Sequence, residues 1–147
     1  MNHGDTEARR AELNRLTERV IGLCIEVHRT LGPGLLESVY EEALAYEMGL
    51  ARLNFARQAE FPLRYKEVVL TCGYRLDFLV DGKLIIELKA VNAIEPIHQA
   101  QLLTYLKFHR LPLGLLVNFN VPVLKDGIRR IVSGDLFRTR DGLDDET

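Results

Sequence analysis

The run YRLDFLVDGKLIIELKA, residues 74–90, decides how this chain is read. It holds two apolar β-type runs joined at Asp81-Gly82, and an Asp-Gly pair between such runs is a strong hairpin signal, because both residues tolerate the backbone angles of a tight turn. Asp77, Glu87 and Lys89 place three charges on these apolar strands. Glu87 and Lys89 are two residues apart, so the alternation of a strand points both to one face. Asp77 lies on the partner run. With Asp81 and Gly82 as the whole turn, Val80 pairs with Lys83 and Asp77 falls opposite Ile86, on the face away from Glu87. A shared site then requires a bulge, a longer turn or a splayed strand end.

Outward from this hairpin, the pattern is helical on one side and mixed on the other. Between about 8 and 30, Leu13, Leu16, Val20, Leu23, Val27 and Leu31 recur at three and four residues, the apolar face of an amphipathic helix. Gly32-Pro33-Gly34 ends it, and a second helix is expected from about 36 to 48, with Leu36, Val39, Tyr40, Ala43 and Leu44 inward and Gly49 as its stop. FARQAEFPLRY (55–65), EVVLTCGYRLDFLV (67–80) and KLIIELKAV (83–91) read as strands, with Pro62 favouring an edge or a bulge. A helix follows from about 96 to 109, with proline in its first turn. LGLLVNF (113–119) has the continuous apolar character of a strand buried on both sides after a helical crossover, and 128–132 reads as a further edge strand.

At 147 residues the chain fits one domain with its own core, with polar, flexible ends expected at about 1–7 and 138–147. No apolar run approaches the roughly 20 residues that cross a bilayer, and the first residues lack a secretory apolar core, so no membrane association and a cytoplasmic location are expected. Cys24 and Cys72 are isolated and read as reduced small residues. Asp5, Glu7, Asp141, Asp144, Asp145 and Glu146 lie in the polar ends, whereas all 19 Lys and Arg fall between Arg9 and Arg140. The body is therefore mildly basic despite a formal charge of -2, which is compatible with a polyanionic partner.

Two carboxylates with a nearby lysine match the needs of metal-assisted phosphodiester hydrolysis. Mg²⁺ takes oxygen ligands and keeps several waters, so Asp77, Glu87 and the backbone carbonyl of Leu88 are a sufficient protein share, with Lys89 positioning the nucleophile or offsetting charge. The plainer alternative is an ion pair of Glu87 with Lys89 on an exposed sheet face. The four histidines show no zinc-like spacing and are left out of the site.

Beyond the isolated residues, the ordered set Asp77, then Glu87-Leu88-Lys89, resembles the signature of the PD-(D/E)XK nuclease superfamily. GLLESVY (34–40) is similar to the motif that names its GxxExxY family, and VHRTLGPGLLESVYEEAL, QLLTYLK and LGLLVNF extend the likeness over roughly 16–132. The resemblance implies an α/β (α+β type) restriction-endonuclease-like core, a mixed β-sheet flanked by helices in the order α-α-β-β-β-α-β(-β), with the two central strands splayed near the site. It implies that Asp77 and Glu87 bind Mg²⁺, with Mn²⁺ as a substitute, that Lys89 assists catalysis, and that Glu37 adds a carboxylate. Gln101 is the preferred polar group on the following helix, with Tyr105 on the same helix face and Tyr40 placed to orient Glu37; the alternatives are that Gln101 and Tyr105 only satisfy hydrogen bonds at a helix-sheet seam and that Glu37 is an exposed helical acid.

The function that follows is divalent-metal-dependent hydrolysis of DNA or RNA phosphodiesters, with a homodimer as one way for a small nuclease to gain reach. The competing reading is a non-catalytic module that binds nucleic acid or protein on the same scaffold, since a scaffold does not dictate a substrate.

Overall fold

The computed structural model describes residues 3–71 and 75–137. Cys72, Tyr74 and the polar stretch 138–147 lie outside them. Helix α1 (His3–Leu31) begins before the apolar pattern does, so residues 3–7, expected as part of a flexible end, are helical. Good helix formers from Ala8 to Glu12 and Asp5 near the positive end of the helix dipole account for the extension. Gly32 and Gly34 take positive φ (72° and 95°) and turn the chain into α2 (Glu37–Leu50). Leu36 is the extended residue before α2 and is 75% exposed, and Val39 is also exposed, so the inward face is Tyr40, Leu44 and Met48. Gly49 does not stop this helix. The reversal comes at Arg52 (φ 58°), where Arg52 and Leu53 donate to the carbonyls of Gly49 and Met48.

The strands are β1 (Phe55–Glu60), β2 (Leu63–Tyr65), β3 (Val68–Leu70), β4 (Arg75–Val80), β5 (Leu84–Lys89), β6 (Leu113–Asn118) and β7 (Ile128–Val132), with α3 (Pro96–His109) between β5 and β6. Pro62 splits the first expected strand, and β2 and β3 form a small sheet of their own. The main sheet is five-stranded in the order β1-β4-β5-β6-β7, antiparallel except for the β5-β6 pair. A parallel pair needs a crossover, and α3 supplies it.

Helices cover both faces of this sheet. One side chain set of β5 (Leu84, Ile86, Leu88), with Leu113, Leu115 and Val117 of β6, packs under α1 and α2 through Leu13, Val20, Cys24, Val27, Tyr40, Leu44 and Met48. On the other face Ile85 and Leu116 pack under Leu102, Tyr105 and Leu106 of α3. Burial pushes the Cys24 thiol up to about 12, so it stays protonated and inert. No helix among the described residues is long and apolar enough to cross a membrane.

At the end of β6, Asn118 is 2% exposed and fully engaged: its amide donates to Val91 O (2.9 Å) while its side-chain oxygen accepts from the N–H groups of Val91 (3.0 Å) and Asn120 (3.2 Å). It thereby holds the loop that leaves β5. Gly127 packs on this corner so closely that a Cβ would lie 2.1 Å from the Asn118 carbonyl oxygen. Gly127→Ala is therefore expected to cost about 1–3 kcal/mol by overpacking. Gly22→Ala, in α1 with open space around it, is expected to be neutral or to gain up to about 1 kcal/mol. Thermal melts followed by circular dichroism check both signs.

Candidate active site

The site begins with the turn between β4 and β5. Asp81 and Gly82 take the positive φ (54° and 64°) of a tight turn, and Lys83 N–H donates to Val80 O (3.0 Å). The ladder, however, pairs Val80 with Leu84, so Lys83 is an additional residue and the register moves by one. Leu79 then faces Ile85 and Phe78 faces Ile86, which sets Asp77 opposite Glu87 instead of Ile86. The simple two-residue register is thus corrected by a longer turn, and the two carboxylates come together.

Past Phe78 the β4-β5 backbone ladder gives way to side chains. Asp77 N–H donates to Glu87 Oε1 (2.7 Å), and Leu88 N–H donates to Asp77 Oδ2 (2.7 Å). Each acid therefore caps an amide that the splayed strands leave without a carbonyl, a charge-assisted bond stronger than the neutral one it replaces. Strand alternation also fails here: Leu76 and Leu79 both pack on the α3 side. Asp77 is 9% and Glu87 4% exposed.

Helix α2 brings acids from above. Glu37 opens its first turn, where a carboxylate suits the helix dipole, and Glu41 lies one turn on, on the same face. Glu41 accepts from Arg57 Nε (2.9 Å) and from the side-chain amide of Gln58, and Arg57 also bonds Glu42 (2.7 Å). Gln58 donates as well to Asp77 Oδ1 (3.2 Å). Burial pushes the Asp77 carboxyl up to about 6, against the Leu88 hydrogen bond that lowers it, and the charges of Glu37 and Glu41 add to the rise. The Glu37 carboxyl is also raised, by burial first; Lys89 and His98 oppose this and Glu41 adds to it. Asp77, Glu37, Glu41 and Lys89 thus share one electrostatic neighbourhood at the carboxyl end of β5.

The other residues singled out in the sequence lie around this centre. Leu88 is fully buried, and since the N–H and C=O of one strand residue point to the same side, its carbonyl faces the Asp77 gap. Tyr40 does not bond Glu37. Its hydroxyl donates to Gly32 O (2.6 Å) and accepts from Leu35 N–H (3.1 Å), and its ring stacks on Phe119 at 4.5 Å, which fixes the start of α2. Gln101 is exposed on α3, and no hydrogen bond joins it to the acids. Tyr105 is buried in the helix-sheet seam. His28 donates to Val121 O (2.7 Å), and His98 Nδ1 accepts from Glu95 N–H (3.0 Å) at the start of α3. Glu41 and Gln58 are the neighbours that sequence reading passed over. Glu41 was accessible to it through the four-residue step from Glu37, whereas nothing in the sequence announces Gln58.

An all-oxygen set of buried acids and a carbonyl suits a hard cation, and the excess of Asp77, Glu87, Glu37 and Glu41 over Lys89 and Arg57 supplies the charge for one. Among the described residues, no three His, Cys, Asp or Glu side chains already stand at ion-holding distance. Two carboxylates and a carbonyl leave positions for water and substrate oxygens around a hard divalent cation.

A five-stranded mixed sheet in this order, helices on both faces and acids at a splayed central strand pair, defines a restriction-endonuclease-like fold. The chain belongs to the PD-(D/E)XK nuclease superfamily, whose family model matches residues 14–131. No curated protein matches the chain. Membership brings nuclease-like chemistry and a nucleic-acid substrate class.

The raised carboxyl of Asp77 gives a test of the site in the ion-free protein. A carboxyl whose pKa is higher in the fold than in the unfolded chain contributes stability that is fully present below its ordinary value of 3.8 and lost as pH rises through about 6. Carbon-detected NMR should place the Asp77 midpoint near 6. Saturating Mg²⁺ should move that midpoint down, since a bound cation favours the ionised form.

Proposed function

We propose that this protein is a Mg²⁺-dependent nuclease of the GxxExxY type, with Mn²⁺ as a substitute ion, hydrolysing phosphodiester bonds in DNA or RNA. The observation that carries this reading is the crossed pair of bonds, Asp77 N–H to the Glu87 carboxylate and Leu88 N–H to the Asp77 carboxylate, which buries two acids on adjacent strands with Lys89 two residues beyond Glu87. Asp77, Glu87 and the Leu88 carbonyl would hold the ion. Such an ion supplies Lewis-acid polarisation of the phosphate and a more acidic bound water.

The chain's own groups have distinct tasks. The Lys89 ammonium, placed at the end of β5 and within electrostatic reach of Glu37, orients the nucleophile and offsets charge that builds on the phosphate. Glu37, with a raised pKa, holds or takes up a proton at its carboxyl or reaches the ion through water. Gln101 meets the substrate from α3, and Tyr40 and Tyr105 keep their helices seated. A cytoplasmic setting suits the free, buried Cys24 thiol. A homodimer would lengthen the surface offered to a nucleic acid.

Incubation of single-stranded, double-stranded and branched DNA and RNA with the protein in Mg²⁺, Mn²⁺ or EDTA tests the reading. Wild type should cut at least one substrate with either ion and none in EDTA. Lys89→Ala should lower the rate about 10²–10³-fold, the loss expected when a group aimed at transition-state charge is removed. Asp77→Asn should be at least as damaging, with the fold retained by the shared shape. Cleavage that survives Asp77→Asn unchanged would sink the proposal. A tight complex without cleavage would favour a binding module.

A further inference from the structure

Gln58 stands out because its backbone is in the wrong conformation for a strand. It lies inside β1 at φ 51°, in the left-handed region that a residue with a side chain enters at a cost of about 1–3 kcal/mol. The register on either side is continuous, Arg57 facing Phe78 and Ala59 facing Leu76, so no residue is inserted and the kink serves no change of pairing. Its effect is on direction. Neighbouring strand residues point to opposite faces, yet here Arg57 and Gln58 both reach Glu41. The unbroken register sets Gln58 in line with Asp77 and Glu87, on three adjacent strands.

From this geometry we infer that Gln58 is a positioning residue of the site: its side-chain amide bridges Glu41 and Asp77 and locks the Asp77 carboxylate in the orientation from which it also accepts the Leu88 amide. The inference rests on the proposed role of Asp77 as an ion ligand. One oxygen of Asp77 is held from β5 by Leu88 (2.7 Å) and the other from β1 by Gln58 (3.2 Å), so the carboxylate plane is fixed from both sides. The same amide group donates to Glu41, which draws α2 and its acids toward the sheet. Two donors of one NH₂ group on two acids also relieve the repulsion between them before any cation arrives. An ordered, partnered carboxylate binds a cation without first having to be arranged.

The test uses the full chain and Mn²⁺ itself as the probe. Gln58→Gly removes the amide at a position where glycine adopts the backbone without strain, and Gln58→Asn keeps an amide and tolerance of this backbone but falls one methylene short. Calorimetric titration should show Mn²⁺ affinity lowered by about 10–100-fold in both, as for other groups that orient a metal ligand. In the ion-free protein, hydrogen exchange of the Leu88 amide should quicken by about tenfold, the worth of one net hydrogen bond, with exchange at Leu116 and the melting temperature close to wild type. Unchanged Mn²⁺ affinity or unchanged Leu88 exchange in Gln58→Gly would overturn the inference, and Gln58→Asn decides in the same way should the glycine variant not fold. If Asp77→Asn abolishes Mn²⁺ binding while Gln58→Gly leaves it unchanged, the ion site stands and the role of Gln58 alone falls. If wild type binds no Mn²⁺, both fall together.

Discussion

The structure depends on how two strands in the middle of a sheet satisfy their amides where they part. A buried N–H without a partner costs about 1–3 kcal/mol, and the β4-β5 ladder ends while both strands are still inside the protein. Asp77 and Glu87 meet that demand with their side chains, each taking an amide at 2.7 Å. The acids are thus structural caps and candidate ligands at once. Burial raises the cost of ionising Asp77, and the Leu88 amide bond offsets part of it. Removing either acid outright opens an amide as well as a ligand position, so a truncation to alanine disturbs fold and site together.

Around this exchange the fold brings several chain ends to one place. β5 and β6 run parallel and finish side by side, with Phe119 N–H donating to Lys89 O at 2.9 Å. Asn118 holds the loop that leaves β5, Tyr40 and Phe119 stack to seat the start of α2, and Glu95 and His98 cap each other's backbone amides at the start of α3. Two helix N-termini and two strand C-termini therefore border the acids. The positive ends of these helix dipoles, Lys89 and the Arg57 paired with Glu41 are counterweights to the carboxylates, and the dipoles favour negative groups such as phosphates.

Much of this was readable from residues. The α3 limits, the crossover to a strand buried on both sides and the edge position of 128–132 follow from periodicity, proline placement and the unbroken apolar run of β6. The ordered residues Asp77, Glu87 and Lys89 pointed to the superfamily that the family model matches. What could not be read was geometry set by single backbone angles. Gly49 was a reasonable stop for α2, but the left-handed residue is Arg52, because the amides of Arg52 and Leu53 find carbonyls in the last turn there. Hydrophobicity places Leu36 inward, whereas it is the extended residue before α2 and 75% exposed, outside the helical face that the 3.6-residue period defines. Gln58 has no signature, as glutamine carries no preference for a left-handed backbone. The register of the hairpin was the deepest gap: Asp81-Gly82 specified the turn, while nothing in the residues chose among a bulge, a longer turn and a splayed end as the way to bring the acids together.

That added residue gives the site a parity. From the turn to Phe78 side chains alternate with a period of two, so whether Asp77 is delivered opposite Glu87 depends on whether the count of residues between Val80 and its partner is odd or even. A point substitution in the turn leaves that count untouched and keeps the acids facing each other. Loss or gain of one residue there changes it and moves one acid to the wrong side of the sheet, with every functional side chain still present in the sequence. Relatives of this chain with intact acids and a turn of different length would then be expected to restore the pairing through a compensating bulge, so the length of the turn is as much a part of the site's inheritance as the acids themselves.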